Sequence, residues 1–169
     1  MLLGKDRILE EIRLGRVRIE PFDMSLVGPA SIDLRLGKFV RVPSSTEIDI
    51  GEPFDYREHS EKVDISDGFT LEPGKLVLGI TMERITLPND IGGWLSSRSR
   101  FARIGLATHI TAPFIQPGVS NHQVLEIYNS SSHPIILRPG IPICQLVLEE
   151  AEGSPGYSGS FSAQGPESF

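Results

Sequence analysis

Beyond residue 30 the apolar residues of this chain fall at every second position, in short runs that glycine and proline keep interrupting. Ile32, Leu34 and Leu36 alternate with Asp33 and Arg35 in SIDLRLG, and the same period returns in EIDI (47–50), KVDI (62–65), KLVLGITMERITL (75–87) and QVLEIYN (123–129). A period of two puts one set of side chains on each face of a pleated strand, whereas a helix needs apolar residues three and four positions apart. The chain's 17 Gly and 13 Pro punctuate these strands at short intervals. That pattern predicts an all-β barrel or sandwich rather than a βαβ protein.

Two departures from the period are informative. Ile8, Leu9 and Ile12 in KDRILEEIRLG have helical spacing and run into Gly15, which predicts one short N-terminal helix with a glycine stop. LEPGKLVLGI from Leu71 and LRPGIPICQL from Leu137 share L-x-P-G followed by an apolar run. The echo predicts two equivalent turns entering two inner strands.

Composition narrows the function classes. The 169 residues, 39% hydrophobic and 22% charged, suit one compact domain. A net charge of −6 excludes a polyanion-binding surface spread over the whole molecule, so no nucleic-acid polymer is expected, while a local anion site stays allowed. Cys144 is the only cysteine and cannot form an intramolecular disulfide. No signal-like segment and no run of eighteen apolar residues occurs, so a reducing, cytoplasmic setting without a membrane is the expectation.

Against that acidic background, SSRSRFARIGL (96–106) gathers Arg98, Arg100 and Arg103 among serines. The segment predicts a short central helix capped by Ser96 or Ser97, with Ser99 and Arg103 on one face. Arginine forks and a helix start both suit phosphate, which makes the cluster a polyphosphate cradle; a solvated basic face paired with nearby acids is the alternative reading. In HQVLEIYN, Glu126 shares a face with Val124 and Tyr128. Such a carboxyl is expected to be half-buried with a raised pKa, fit for general acid and base work; an outward or ion-paired Glu is the alternative.

Five segments in order, IEPFDMSLVGPASIDLRLG, SRSRFARIGL, HITAPFIQPG, VLEIYNSS and LRPGIPICQL, resemble the dCTP deaminase family, the zinc-independent branch of the dUTPase-like superfamily. The resemblance implies a distorted jelly-roll β-barrel over residues 1–150, a flexible C-terminal closure segment over 151–169, and a homotrimer with active sites shared between subunits. The reaction it implies is hydrolytic deamination of dCTP to dUTP and ammonia, with magnesium carried on the substrate triphosphate. Carried over by position, Arg98 and Ser99 grip phosphates, Arg103 supports the reacting centre, the Ala112 carbonyl of the Thr111–Ala112 step and the Ser99 hydroxyl hold the attacking water, and Glu126 is the proton shuttle. Phe161 and Gln164 take the aromatic and glutamine positions of the closure segment.

The sequence also departs from the family pattern. Arg100 stands where a serine is usual, as a further phosphate contact or a side chain pointing away, Gln116 replaces the usual aspartate, Val119 an aromatic residue, and Ser160 the closure segment's lysine. A neutral amide at 116 can bind the sugar but cannot serve as a carboxylate base, so deamination is expected to stop at dUTP. Two alternatives accompany that reading: a dUTP pyrophosphatase or bifunctional enzyme forming dUMP, for which Asp33 would be the first carboxylate to test, and a non-catalytic nucleotide-binding paralogue. HSE at 59–61 matches half of the zinc deaminase signature, but the other half needs two cysteines, and His109, His122 and His133 are too scattered for a metal site, so no zinc is expected.

Overall fold

The computed structural model describes residues 1–44, 47–51 and 54–169. Helix α1 (Lys5–Arg13) is followed by strands β1 (Arg18–Glu20), β2 (Ile32–Pro43), β3 (Ser60–Asp64), β4 (Phe69–Leu71), β5 (Leu76–Thr86) and β6 (Ile91–Ser97). A one-turn helix α2 (Ser99–Ala102) precedes β7 (Leu106–Ala107), β8 (Phe114–Ile115), β9 (Ser120–Asn129), β10 (Ile135–Leu137) and β11 (Pro142–Glu150). The protein is mainly β, as its period predicts. Among the described residues no helix is long and apolar enough to cross a membrane.

Nine strands form one curled sheet in the order β7-β9-β5-β2-β11-β6-β8, with β1 against β5 and β3 against β2. The curl is built into β2. Its first residues, Ile32 to Arg35, pair with β11, its middle with β5, and Phe39–Pro43 with β3. The β2–β5 register shifts between Leu36 and Val40, at Gly37, where a Cβ would lie 2.8 Å from the Ile80 carbonyl oxygen. Only glycine admits so close a backbone approach at the bend.

The inward set is the one the alternation marks: Leu34, Leu36, Leu125, Ile127, Leu146 and Leu148 are fully buried. Both L-x-P-G turns fall as expected, with positive φ at Gly74 (72°) and Gly140 (80°), leading into β5 and β11. The strands before them, β4 and β10, pair with each other as a separate antiparallel ribbon. Helix α1 ends at Arg13 with Leu14 as its C-cap, and Gly15 has φ 70°. Its Glu11 is buried between Arg7 at 2.7 Å and Arg16 at 2.6 Å, a pairing that the helical spacing alone does not reveal.

Two local expectations fail. EIDI forms no strand: Ile50 is 85% exposed, so the alternation has no core to face. Neither Ser96 nor Ser97 caps α2. Both lie in β6, the cap position belongs to Arg98 without a side-chain cap bond, and Ser97 Oγ instead accepts from Thr108 N at 2.9 Å and Thr108 Oγ1 at 3.0 Å.

Candidate active site

The β9 alternation that buries Leu125 and Ile127 turns Glu126 to the opposite face, where its side chain keeps 19% exposure. There it meets the loop 108–113. Ile110 N donates to Glu126 Oε2 at 2.8 Å, Thr111 N to the same oxygen at 2.5 Å, and the Thr111 hydroxyl to Oε1 at 2.5 Å. Burial pushes the Glu126 pKa up, but these three donors, with a smaller contribution from His109, outweigh it and leave the pKa below the usual carboxylate range. The expectation of a raised pKa is therefore overturned. Sequence position showed the apolar neighbours along the strand and not the donors from a loop fifteen residues away.

His109 locks this arrangement. Its ring is nearly buried, and burial lowers its pKa against the pull of Glu126 and the Ala112 carbonyl. The neutral ring accepts from Glu126 N at Nδ1 (3.3 Å), which leaves its proton on Nε2 to donate to the Ala112 carbonyl at 2.9 Å. One imidazole thus ties the backbone of the carboxylate strand to the loop that carries Thr111 and Ala112.

Glu126 lines a cleft of about 320 Å³. Four more of the sequence candidates line it: Ala112, Gln116, Phe161 and Gln164. Gln116 follows β8 on a turn completed by Pro117 and by Gly118 at φ 80°. Its amide is exposed and hydrogen-bonds no described side chain. Thr111 reaches the site only through Glu126. Val119, noted as an aromatic replacement, is a buried part of the wall.

The arginine cluster lies elsewhere in the chain. None of Arg98, Ser99, Arg100 and Arg103 lines the cleft. Ser99, Arg100 and Arg103 are exposed on and beside α2. Arg98 is engaged, its Nη2 at 2.9 Å from Asp33 Oδ2 and its Nη1 donating to the Pro142 carbonyl at 2.9 Å. Asp33 also accepts from Gln145 Nε2 at 3.3 Å and, like the arginines, lies outside the cleft of its own chain. Among the described residues no three His, Cys, Asp or Glu side chains stand together as a metal site.

Sequence reading missed Asn121 and Gln123. Both line the cleft, and Gln123 Nε2 donates to Asn121 Oδ1 at 2.5 Å. The signal was present: in β9 they occupy the same period-two set as Leu125 and Ile127, and a polar side chain in a core register asks for a partner. Tyr56 and Tyr157, from separate turns, complete the wall and carry no period to announce them.

Comparison with known proteins identifies relatives of this chain. A family model described as dCTP deaminase-like matches residues 2–151. A protein of Mycolicibacterium vanbaalenii named "dCTP deaminase, dUMP-forming" is 44% identical over 151 residues, 88% of this chain and 80% of its own length. One of the same name from a Parafrankia species is 41% identical over 174 residues, 97% of this chain and 87% of its own. Among solved structures, the 2'-deoxycytidine 5'-triphosphate deaminase of Agrobacterium tumefaciens superimposes with a TM-score of 0.71 at 26% identity, over 87% of this chain and 47% of that one. This chain thus spans about half the length of that solved structure.

Proposed function

The chain belongs to the dCTP deaminase-like family, and on that premise we propose that it hydrolyses the exocyclic amine of dCTP, with Glu126 as the base. The observation that carries this reading is the Glu126 carboxylate, held anionic by three donors at the wall of a nucleotide-sized cleft. Oε2 accepts two N–H groups and Oε1 one hydroxyl, which leaves a lone pair of Oε1 for a water proton. Glu126 takes that proton and passes it to N3 as the hydroxide adds to cytosine C4, then takes the remaining proton from the C4 hydroxyl and gives it to the amine, which leaves as ammonia while C4 becomes a carbonyl. The net change is dCTP and water to dUTP and ammonia. The Ala112 carbonyl, oriented by His109, is the second acceptor for the water. Magnesium enters with the triphosphate as part of the substrate, and the chain's own residues carry every proton transfer.

The phosphates need cations that this cleft lacks. Ser99, Arg100 and Arg103 are exposed and outside it, which supports a homotrimer in which a second copy brings α2 to the nucleotide. In that assembly Arg98 acts through its Asp33 pair, positioning the start of α2.

A second reading, formation of dUMP, is favoured by the name carried by the relatives at 41–44% identity. Against it stands Gln116, a neutral amide at the cleft with no carboxylate beside it except Glu126. Incubation with dCTP and with dUTP, followed by separation of nucleotides and assay of ammonia and pyrophosphate, tests both. Ammonia and dUTP without pyrophosphate support deamination alone, dUMP with pyrophosphate supports the second reading, and no change in dCTP refutes the enzyme.

A further inference from the structure

Residues 157–169 contain no helix or strand, yet they are fastened along their length. Tyr157 N donates to the Pro117 carbonyl at 2.8 Å and Asn121 Nδ2 to the Phe161 carbonyl at 2.7 Å. His122 and Gln164 bond twice, His122 N to the Gln164 carbonyl at 3.1 Å and Gln164 Nε2 to the His122 carbonyl at 2.8 Å. This strap lays Tyr157, Phe161 and Gln164 along the cleft of its own chain.

Past Gln164 the strap leaves the cleft and turns, Phe169 N donating to the Gly165 carbonyl at 2.8 Å. The turn delivers Phe169 to a seat by β2, β3 and the turn at Tyr56–His59. Phe169 is 2% exposed there, with the Arg41 guanidinium 6.0 Å from its ring centroid. Lys62 Nζ donates to the Pro166 carbonyl, and Arg57 Nη1 to the Ser168 carbonyl at 3.2 Å. Arg41 is itself fixed by Ser60 Oγ at 2.8 Å and the Arg57 carbonyl at 2.9 Å, so the seat is built independently of the strap.

We propose that the Phe169 seat is a latch, remote from the nucleotide, that sets how often the strap stands as a wall of the cleft. At the cleft the strap is held by hydrogen bonds and by Tyr157, which is partly buried against the core, while Phe161 is 53% exposed. Phe169 is the one fully buried large side chain in the strap, so its largest single apolar anchor lies outside the cleft. When the latch opens, the cleft loses three lining residues, and apparent affinity falls in proportion to the docked fraction. The effect on affinity rests on the reading that this cleft takes dCTP; the latch itself does not.

The test pairs a ligand-free readout with a kinetic one, on the native protein and on Phe169→Ala, Phe169→Leu and Lys62→Met. Without nucleotide, amide hydrogen exchange at Tyr157, Gln164 and Phe169 should quicken about tenfold or more in Phe169→Ala, the loss expected when a buried aromatic anchor is removed. Exchange in β2 and β11 should stay unchanged, Phe169→Leu should restore most of the protection, and Lys62→Met should fall between. KM for dCTP should rise about tenfold in Phe169→Ala with kcat within about twofold, as expected of a change in docked fraction. Unchanged exchange in Phe169→Ala overturns the latch. Quickened exchange with unchanged KM overturns its control of the cleft. If the native protein leaves dCTP intact while exchange behaves as described, the substrate assignment fails and the latch stands.

Discussion

Thr111 holds the Glu126 carboxylate twice, with its backbone N–H on Oε2 and its hydroxyl on Oε1, each at 2.5 Å. Hydrogen bonds to an ionised acceptor are roughly twice as strong as neutral ones, and here they decide the sign of a pKa shift that burial alone would send upward. A carboxylate kept ionised is a base in its resting state. It gains acid character only after it has taken the proton of the attacking water.

That relationship fixes a pH dependence. The acid limb of kcat/KM reports the free enzyme's base and should lie below the ordinary glutamate range. Thr111→Val removes the hydroxyl bond and keeps the backbone ones, so the acid limb should move toward higher pH while the carboxylate stays ionised at neutral pH. The same sign applies to stability: a lowered folded pKa contributes stability above the unfolded value that is lost as pH falls through the folded one. A pH–rate profile of both proteins checks the shift, and an unmoved limb in Thr111→Val would reassign the titration to another group.

Glu126→Gln keeps the shape of the side chain and abolishes proton transfer. Turnover of dCTP should drop by about 10²–10⁴, with nucleotide binding close to normal. Single-turnover kinetics and calorimetric binding of dCTP separate the two effects. Retained turnover would move Glu126 to a structural role.

How far the sequence reveals this molecule depends on the range of the interactions. The period-two runs and the two Pro-Gly turns identify the strands and their inward faces, because each strand carries its own burial pattern along its length. EIDI shows the limit: the same alternation at 47–50 has nothing to pack against. Glu126 is found by pattern, but its ionisation is set by Ile110, Thr111 and His109, which reach it only through the folded loop. Asp33 and Arg98 each looked available in the sequence, and the fold pairs them at 2.9 Å.

The bend at Gly37 predicts a stability change at a distance from the site. Alanine there would set a Cβ 2.8 Å from the Ile80 carbonyl oxygen, closer than packed atoms stand, and backbone on both sides resists adjustment. Gly37→Ala should cost about 1–3 kcal/mol, the usual penalty for forced overpacking. Urea titration should show a lower midpoint with an unchanged slope. An unaltered midpoint would mean that β2 and β5 can separate at the bend without loss.

Exposed arginines outside the cleft predict complementation between subunits. Arg103→Ala subunits lack a cation on α2 and Glu126→Gln subunits lack the base, so each homo-oligomer should be inactive. Refolded together, they should regain part of the native activity if α2 of one copy serves the cleft of another. Light scattering should report a trimer for the native protein. Mixtures as inactive as their parents would place both residues in a site formed within one chain.

Gln116 determines where the reaction should stop. Release of pyrophosphate needs a base beside a water aimed at phosphorus, and the amide of Gln116 can accept a hydrogen bond but cannot take up the proton at neutral pH. Asp33, the other nearby candidate in sequence, is bound to Arg98 and Gln145 and lies outside the cleft. On the proposed mechanism Glu126 serves the cytosine end, and a base that activates water for attack on C4 has the deoxyribose between itself and the α-phosphate. A time course on dCTP should therefore show ammonia and dUTP rising in equal amounts, and added dUTP should persist. Gln116→Asp restores a carboxylate at the cleft wall and is the variant in which pyrophosphate release should appear. If the native protein forms dUMP as fast as ammonia, a carboxylate from a second subunit must serve the phosphate, and the mixed-subunit assay with dUTP as substrate would locate it.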